Sequence, residues 1–379
     1  MSRSNRTTLR PLVIVLGLVI GCDAETTSDF SQTGSDTNPS SDENASSVTT
    51  NDGDTGQDDQ TDSTEGDAYC HDGDDDTYGY ATAVTPAGTG AADSFTTQLL
   101  ECSLTAAQAA VCYGEENTVD ISEGGGERTI DGNQIPDHDI DFFPNQGNPN
   151  VIAAQGRVFT VTLSPRITNQ ATFAPTPGVA LNSVKFEPQT AEVYGDTEWR
   201  YESNQFTGRL STDSNPSFGS SLGLDCNFAH VQPNGEYHYH GLPSAMMPDG
   251  PAITHIGWAA DGHPILGRYG YATPGDEGSG IVEMTTSYRL LSGERQSLSG
   301  ETPPPGEHDG TFVQDWAHDG SGDLDECNGR SEEIEIDGEA YDYVYYVTLT
   351  YPYVPRCVWG VPDDSFGGGP GGGGGPGGG

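Results

Sequence analysis

Short runs of alternating apolar and polar residues fill the middle and the C-terminal part of the chain, and Gly, Pro or Asn separates each run from the next. Alternation with a period of two is typical of a β-strand with one buried face. It predicts strands over residues 158–163, 179–186, 237–240, 253–258 and 341–350. A single helix is predicted near residues 92–111, where Ala and Leu are dense. We therefore expect an all-β or mainly β protein, with one large domain of the sandwich or barrel type.

The first 22 residues have the pattern of a bacterial lipoprotein signal peptide. Arg3, Arg6 and Arg10 precede an apolar run over residues 12–20, which is too short for a comfortable membrane span. Cys22 follows directly after a small residue, as in a lipobox, where the Cys is acylated and becomes the mature N-terminus. A plain signal peptide or an uncleaved anchor is the alternative. We predict lipidation of Cys22, attachment to a bacterial membrane, and a periplasmic or cell-surface location.

The composition divides the remaining chain into four parts. Residues 23–69 are rich in Asp, Ser and Thr and nearly free of apolar residues, so they are predicted to form a disordered acidic stalk. Residues 70–131 form a Cys-containing N-terminal segment, and residues 132–360 carry the main domain. Residues 361–379 are mostly Gly and Pro and are predicted to be a disordered tail.

The charge balance excludes one class of partner. The chain has 58 Asp and Glu against 14 Lys and Arg, and its net charge is -44. Such a surface repels phosphate backbones, so nucleic acid is not an expected partner. Carboxylates alternate between Asp72 and Asp76 as in calcium loops, but Thr77 and Ala83 replace the Gly and Glu that an EF-hand needs. The two alternatives for this segment are a weak calcium site and a solvated acidic turn.

The cysteines indicate an oxidising compartment. Six remain once Cys22 is set aside, and six allow 15 disulfide connectivities. We expect Cys327 to pair with Cys357, because this bond would join the ends of a hairpin-like unit, and we expect Cys102 to pair with Cys112. Those two bonds leave Cys70 for Cys226.

Three histidines form the most informative pattern in the chain. His238 and His240 lie two residues apart on a predicted strand, so their side chains share one face. His230 lies eight residues upstream, and the intervening Pro233-Asn234-Gly235 predicts a turn that returns His230 to the pair. Three neutral imidazoles with an open position are ligands typical of zinc and also suit copper. The competing interpretation is an ordinary half-buried strand with structural histidines.

An internal duplication is indicated by two similar segments. Residues 224–227 and 324–329 each contain Leu-Asp, Cys and Asn, and each is followed by a strand with alternating Tyr, over residues 237–240 and 341–346. The second copy contains no His. Any metal chemistry is therefore expected in the first copy.

Several blocks between residues 132 and 360 resemble the bacterial YHYH-domain family, whose name is the motif at residues 237–240. Further blocks of resemblance are residues 132–139, 143–150, 179–186, 229–233, 257–262, 324–329 and 351–357. The resemblance implies a secreted or surface protein of unassigned activity. It also places these histidines at motif positions: His138, His230, His238, His240 and His255. His263 stands where relatives more often have an aromatic residue, and Val344 where some have His, which disfavours a second metal centre.

Two functions follow as hypotheses. The first is a lipid-anchored domain that binds zinc or copper through His230, His238 and His240, with His255 as a possible fourth ligand. Three neighbouring residues could orient a metal-bound imidazole from behind or act as alternative ligands: Asp137, His138 and Asp139. The alternative is a non-enzymatic module that binds glycan or protein through an aromatic face, formed by Tyr237, Tyr239, Tyr343 and Tyr345. Serine-hydrolase, phosphate-loop and dinucleotide motifs are missing from the sequence, and no substrate is indicated.

Overall fold

The computed structural model describes residues 102–145, 147–203, 222–298 and 300–367. The predicted signal peptide with Cys22, the stalk, Cys70, the acidic turn between Asp72 and Asp76, and the first part of the predicted helix lie outside these residues. Strands make up most of the regular secondary structure among these residues, so the prediction of a mainly β fold is confirmed. Across these residues, no helix combines the length and apolar composition needed to cross a membrane.

The only α-helix among the described residues, α1, spans Ala106–Tyr113 and is the C-terminal part of the predicted helix. The side chain of Thr105 accepts a hydrogen bond from the backbone N–H of Gln108, and the side chain of Gln108 accepts one from the backbone N–H of Thr105, which is a capping box. Gly114 ends the helix in a left-handed conformation.

The strands are mostly short. They are β1 Val119–Gly124, β2 Glu127–Gly132, β3 Arg157–Thr162, β4 Thr172–Phe173, β5 Gly178–Ala180, β6 Lys185–Phe186, β7 Ala229–Val231, β8 Tyr237–Tyr239, β9 His255–Ala259, β10 Pro264–Leu266, β11 Tyr269–Tyr271, β12 Ile281–Glu283, β13 Tyr288–Leu290, β14 Trp316–His318, β15 Gly329–Ile336, β16 Glu339–Tyr346 and β17 Cys357–Val358. Single turns of 3₁₀ helix lie at Ser244–Met246, Glu277–Ser279, Val313–Asp315 and Asp364–Phe366. All five predicted strands are present, but the one over residues 179–186 is two strands, because Ser183 adopts a left-handed turn conformation.

Eight strands form the central sheet in the order β15-β16-β10-β9-β5-β6-β8-β7. The order is symmetric about the antiparallel pair of β5 and β9. On each side, the central strand forms a hairpin with the next strand of the sheet, β6 or β10. That strand has a parallel neighbour on its outer side: β8 lies beside β6, and β16 lies beside β10. An antiparallel hairpin partner, β7 or β15, then forms the edge. The sheet therefore consists of two halves with the same topology.

The register of the central pair places an approximate two-fold axis between Val179 and Trp258. These two residues face each other, Gly178 faces Ala259, and Gly257 faces Ala180. The loops that follow also match. Ala180 N donates to Val184 O at 2.8 Å in the first half, and Ala259 N donates to His263 O at 2.9 Å in the second.

The turns before the edge hairpins repeat as well. Oδ1 of Asp225 accepts hydrogen bonds from the backbone N–H groups two and four residues later, at 2.8 and 3.1 Å. Oδ1 of Asp325 does the same at 2.9 and 3.1 Å. The remaining carboxylate oxygen accepts from a tyrosine hydroxyl of the hairpin, Tyr237 at 2.6 Å and Tyr343 at 2.7 Å. The duplication predicted from the sequence is thus present in the structure.

Alternation along the strands separates two cores on the two faces of the central sheet. One contains Phe186, Tyr239, Ile265 and Tyr345 together with residues near α1. The other contains Trp258, Leu266, Val344 and Tyr346 and packs against a three-stranded sheet of β1, β2 and β3. From that sheet it receives Ile130, Phe159 and Val161.

Two disulfides are described. Cys327–Cys357 is present, which confirms that prediction, but Cys102 pairs with Cys226 across 124 residues. The predicted pairs Cys102–Cys112 and Cys70–Cys226 are therefore wrong, although Cys112 is also disulfide-bonded. The reason is Asp141, whose carboxylate accepts from Ser103 N and Cys226 N, each at 2.9 Å, and so brings the two cysteines together.

The first seven residues of the predicted disordered tail are ordered. Residues 361–367 are folded, and Phe366 is buried with its ring 4.8 Å from that of Phe159. Oγ of Ser365 accepts from Thr160 N at 2.9 Å. These contacts fasten the C-terminal residues to β3.

Gly257→Ala is predicted to destabilise the protein. A Cβ at position 257 would overlap the carbonyl oxygen of Val179 and lie 2.9 Å from Cα of Ala180, so the central strands would have to separate. We expect the free energy of unfolding to fall by about 1–3 kcal/mol, measured by denaturant titration. Gly156→Ala is the control, because its Cβ would have no neighbour within 4 Å. Equal stability of the two variants would contradict the importance of this contact.

Candidate metal centre

The β7–β8 hairpin brings three histidines together. His230 on β7 lies directly opposite His238 on β8, and His240 follows two residues after His238 on the same face. The predicted turn is present, since Gln232 N donates to Glu236 O at 2.9 Å and Gly235 N donates to Gln232 O at 2.8 Å. The three histidines that the sequence pattern predicts to be neighbours therefore lie close together in the structure.

The three imidazoles point their Nε2 atoms at one another. Nε2 of His240 lies 3.1 Å from Nε2 of His238 and 3.1 Å from Nε2 of His230. The potential ligand atoms of the trio all lie within 4.8 Å of one another. Nitrogen ligands at about 2.0–2.1 Å from a tetrahedral ion would be roughly 3.3 Å apart, so the spacing fits a single metal ion.

Backbone carbonyls set the protonation of two of these rings. Nδ1 of His230 lies 2.8 Å from the carbonyl oxygen of Leu222, and Nδ1 of His238 lies 3.1 Å from that of Glu236. A carbonyl oxygen can only accept, so both Nδ1 atoms carry the proton. In the neutral rings Nε2 then carries a lone pair, which is the form that binds a metal.

Burial keeps the trio neutral. His238 and His240 are 1% and 3% exposed, and His230 is partly buried. Burial is the main cause that lowers the pKa of all three, and the proximity of His230 lowers the pKa of His238 and His240 further. A hydrogen bond to the backbone of Glu187 acts in the opposite direction on His240. Three uncharged imidazoles at neutral pH are the result.

Without a cation, this arrangement is unfavourable. The Nε2 of His240 can donate at most one proton, so at most one of its two contacts is a linear hydrogen bond, and the other brings two nitrogens with partial negative charge to 3.1 Å. A metal ion between the nitrogens turns this repulsion into three coordinate bonds. The donor set of three imidazoles fits zinc or copper, so the residues present suit the metal that the sequence predicts.

Charged residues surround the trio on the same face of the sheet. Lys185 Nζ lies 2.7 Å from Glu187 Oε2 and 3.0 Å from Glu236 Oε2, and all three side chains are 4% exposed. Arg157 NH1 lies 3.7 Å from Glu236 Oε1. Glu187 Oε2 is also 3.9 Å from Nε2 of His238. Sequence reasoning missed Glu187, although charged residues on both sides of Phe186 in a buried strand were a usable signal.

The structure does not bring the other predicted residues to this centre. His255 lies on β9, where its Nε2 hydrogen-bonds to Gly257 O at 2.9 Å and its ring packs 4.4 Å from Trp258. It is not part of the histidine group, which contradicts its prediction as a fourth ligand. The reason is that β5 and β6 separate β9 from the β7–β8 hairpin.

Asp137, His138 and Asp139 serve the opposite face of β8. Nε2 of His138 lies 2.5 Å from the hydroxyl of Tyr239, which points away from His238. Asp137 accepts from the side chain of Asn182 at 2.9 Å, and Asp139 accepts from the backbone N–H at the start of α1 at 3.0 Å. These residues therefore support the core and the helix, not the imidazoles as predicted.

The tyrosines of the alternative hypothesis form no binding face. Tyr237, Tyr239, Tyr343 and Tyr345 are each at most 4% exposed. Their hydroxyls bond to buried side chains, for example Tyr345 to Asp261 at 2.7 Å. These four tyrosines therefore do not form the predicted aromatic binding face.

The second half of the sheet has different residues at the positions equivalent to the three histidines and Glu187. Strand register equates His230 with Arg330, His238 with Val344 and His240 with Tyr346. By the same register, the residue after Phe186 corresponds to the residue after Ile265, so Leu266 replaces Glu187. Three of the four replacements belong to a hydrophobic core. The scaffold does not itself require histidine at these positions.

Comparison with known proteins identifies one family. A family model described as YHYH protein matches residues 158–360, which is more than half of the chain and includes the three histidines and Glu187. This confirms the resemblance inferred from the motifs. No curated protein and no solved structure matches the chain.

Acid is predicted to destabilise the metal-free protein through these histidines. Unfolded imidazoles titrate near pH 6.5, whereas the folded pKa values are lower, so the unfolded chain binds more protons as the pH falls below about 6.5. The free energy of unfolding should then decrease, as denaturant titrations at pH 7.5, 6 and 5 would show. In the variant His238→Val/His240→Tyr, both histidines are replaced by the equivalent residues of the second half. Its free energy of unfolding should decrease less over the same pH range. An identical pH dependence of the two proteins would count against the histidines as the cause.

Proposed function

The chain belongs to the YHYH protein family, and we propose that it is a lipid-anchored extracytoplasmic protein that binds one divalent metal ion through His230, His238 and His240. The observation that carries this proposal is the convergence of three Nε2 atoms on one point in a buried, uncharged cluster. The two neighbouring backbone carbonyls support it, because they orient His230 and His238 for coordination.

The comparison of the two halves favours a binding role over a purely structural one. Histidines that only filled the core could be replaced by apolar residues, and at the equivalent positions of the second half Val344 and Tyr346 do fill it. The first half instead places Lys185, Glu187 and Glu236 around the trio, a costly set of groups to bury. We infer that the unfavourable free energy of burying these charged groups is tolerated because the site binds a metal ion.

Zinc and copper both suit three imidazoles, and each would supply a different chemistry. Bound zinc polarises a ligand and lowers the pKa of coordinated water, whereas copper also supports electron transfer. In either case His230, His238 and His240 would hold the ion. Of the three histidines, His230 has the largest exposed fraction.

Metal analysis tests the proposal. Purified wild-type protein reloaded with zinc or copper should retain about one ion per chain, and His238→Val/His240→Tyr should bind at least about 100-fold more weakly, because two of three ligands are lost. His255→Gln is the matched control and should bind like the wild type, since His255 is outside the group. If the wild type retains neither metal while its circular-dichroism spectrum is native, the proposal is wrong.

Lipid attachment through Cys22 is proposed from the leader pattern alone. Cys22→Ser should move the processed protein from the membrane fraction to the soluble fraction, or should block processing. Fractionation and intact-mass measurement would show either outcome. Membrane association that persists in this variant with a normal mature mass would contradict lipidation at this residue.

A further inference from the structure

Among the described residues, Glu187 is the carboxylate nearest to the histidine trio, and its position follows from strand pairing. Phe186 pairs in parallel with Tyr239, and Glu187 N donates to Tyr239 O at 2.8 Å. Phe186 and Tyr239 belong to the core on the opposite face, so Glu187 shares the face of His238. Its Oε2 lies 3.9 Å from Nε2 of His238, close enough to become a ligand if it were free to move.

Two donors hold this oxygen where it is. Lys185 Nζ lies 2.7 Å from Oε2 of Glu187, and Gln232 Nε2 donates to the same atom at 3.0 Å. Lys185 is itself fixed by Glu236 at 3.0 Å, and Gln232 belongs to the hairpin turn that carries the histidines. Coordination of a metal by Oε2 would compete with both hydrogen bonds inside a buried region, which is unfavourable.

Among the residues that the structure describes, the charges around the trio leave a bound dication uncompensated. Lys185 and Arg157 are balanced by Glu187 and Glu236, with which they form ion pairs. The trio itself is neutral.

Further charges change this balance little. Arg356, which lowers the pKa of His240, is paired with Glu202 at 2.5 Å. Glu192 raises the pKa of His230 and compensates at most one positive charge. A dication in such an environment favours an additional anion.

We propose that the metal centre takes a small exogenous anion, such as hydroxide or a carboxylate, as its fourth ligand, while Lys185 and Gln232 keep Glu187 outside the coordination sphere. This inference rests on the proposed metal binding and specifies the ligand class of the same centre. Of the three proposed ligands, His230 is the least buried.

Azide binding to the cobalt-loaded protein tests this inference. Cobalt replaces zinc in nitrogen-ligand sites and reports its ligands through visible absorption. We expect azide to change the absorption of the wild type saturably. Glu187→Gln, which keeps the shape of the side chain, should retain both cobalt binding and the azide response, because Glu187 is not a ligand.

Each other outcome overturns the inference in a distinguishable way. If azide acts on Glu187→Gln but not on the wild type, Glu187 occupies the fourth position. If azide acts on neither cobalt-loaded protein, the fourth position is closed to anions. If the wild type binds no cobalt, zinc or copper, the proposed metal function fails, and this inference fails with it.

A second variant tests the role of Lys185. In Lys185→Met/Glu236→Gln, one positive and one negative charge are removed, so Glu187 loses its ion pair without a change in net charge. Glu187 should then coordinate the metal, and azide affinity should fall at least about 10-fold. Adding Glu187→Gln to this double variant should restore the azide affinity. Should the double variant not fold, Gln232→Leu removes the other donor and should weaken azide binding by about 10-fold, the low end of such effects. Unchanged azide affinity in the folded variant would overturn the proposed role of the two donors.

Discussion

The antiparallel contact between β5 and β9 is the interaction on which the rest of the sheet depends. Gly178 and Gly257 let these two backbones approach, and Val179 and Trp258 face each other at the centre. A strand pair with this register is self-complementary, so whatever follows β5 in the first half can follow β9 in the second. Both halves do extend outward in the same order, through a tight loop, a parallel neighbour and an edge hairpin. The two-fold arrangement is therefore a consequence of how the central strands meet.

The two halves use one scaffold for different interiors. Each edge hairpin is anchored by an aspartate that binds two backbone N–H groups and a tyrosine hydroxyl, Asp225 in one half and Asp325 in the other. On the opposite face of the hairpins, the second half buries Val344 and Tyr346 in a core, whereas the first half buries imidazoles and ion pairs. Because the shared anchors hold the backbone, the first half can place unfavourable groups there without losing its geometry.

The electrostatics of the first half follow from burial. Away from water, imidazoles remain neutral and carboxylates need close cations, which accounts for the lowered pKa of His238 and the ion pair between Lys185 and Glu187. Burial raises the pKa of Glu187, and the ammonium of Lys185 acts in the opposite direction. The same low dielectric strengthens any attraction between the histidine trio and a cation. Buried imidazoles and ion pairs of this kind are costly to local stability.

The sequence by itself determined the features that depend on local periodicity. Alternation predicts that His238 and His240 share a face, the Pro233-Asn234-Gly235 turn predicts that His230 returns to them, and similar Asp-Cys-Asn segments predict two related hairpins. These inferences hold because strands and turns are specified over a few residues. Tertiary structure alone decided which distant groups meet. It paired Cys102 with Cys226 through Asp141, placed Glu187 beside the trio, and left His255 separated from the trio by two strands. Such contacts depend on strand order and packing across many residues, and no local pattern in the chain specifies that order.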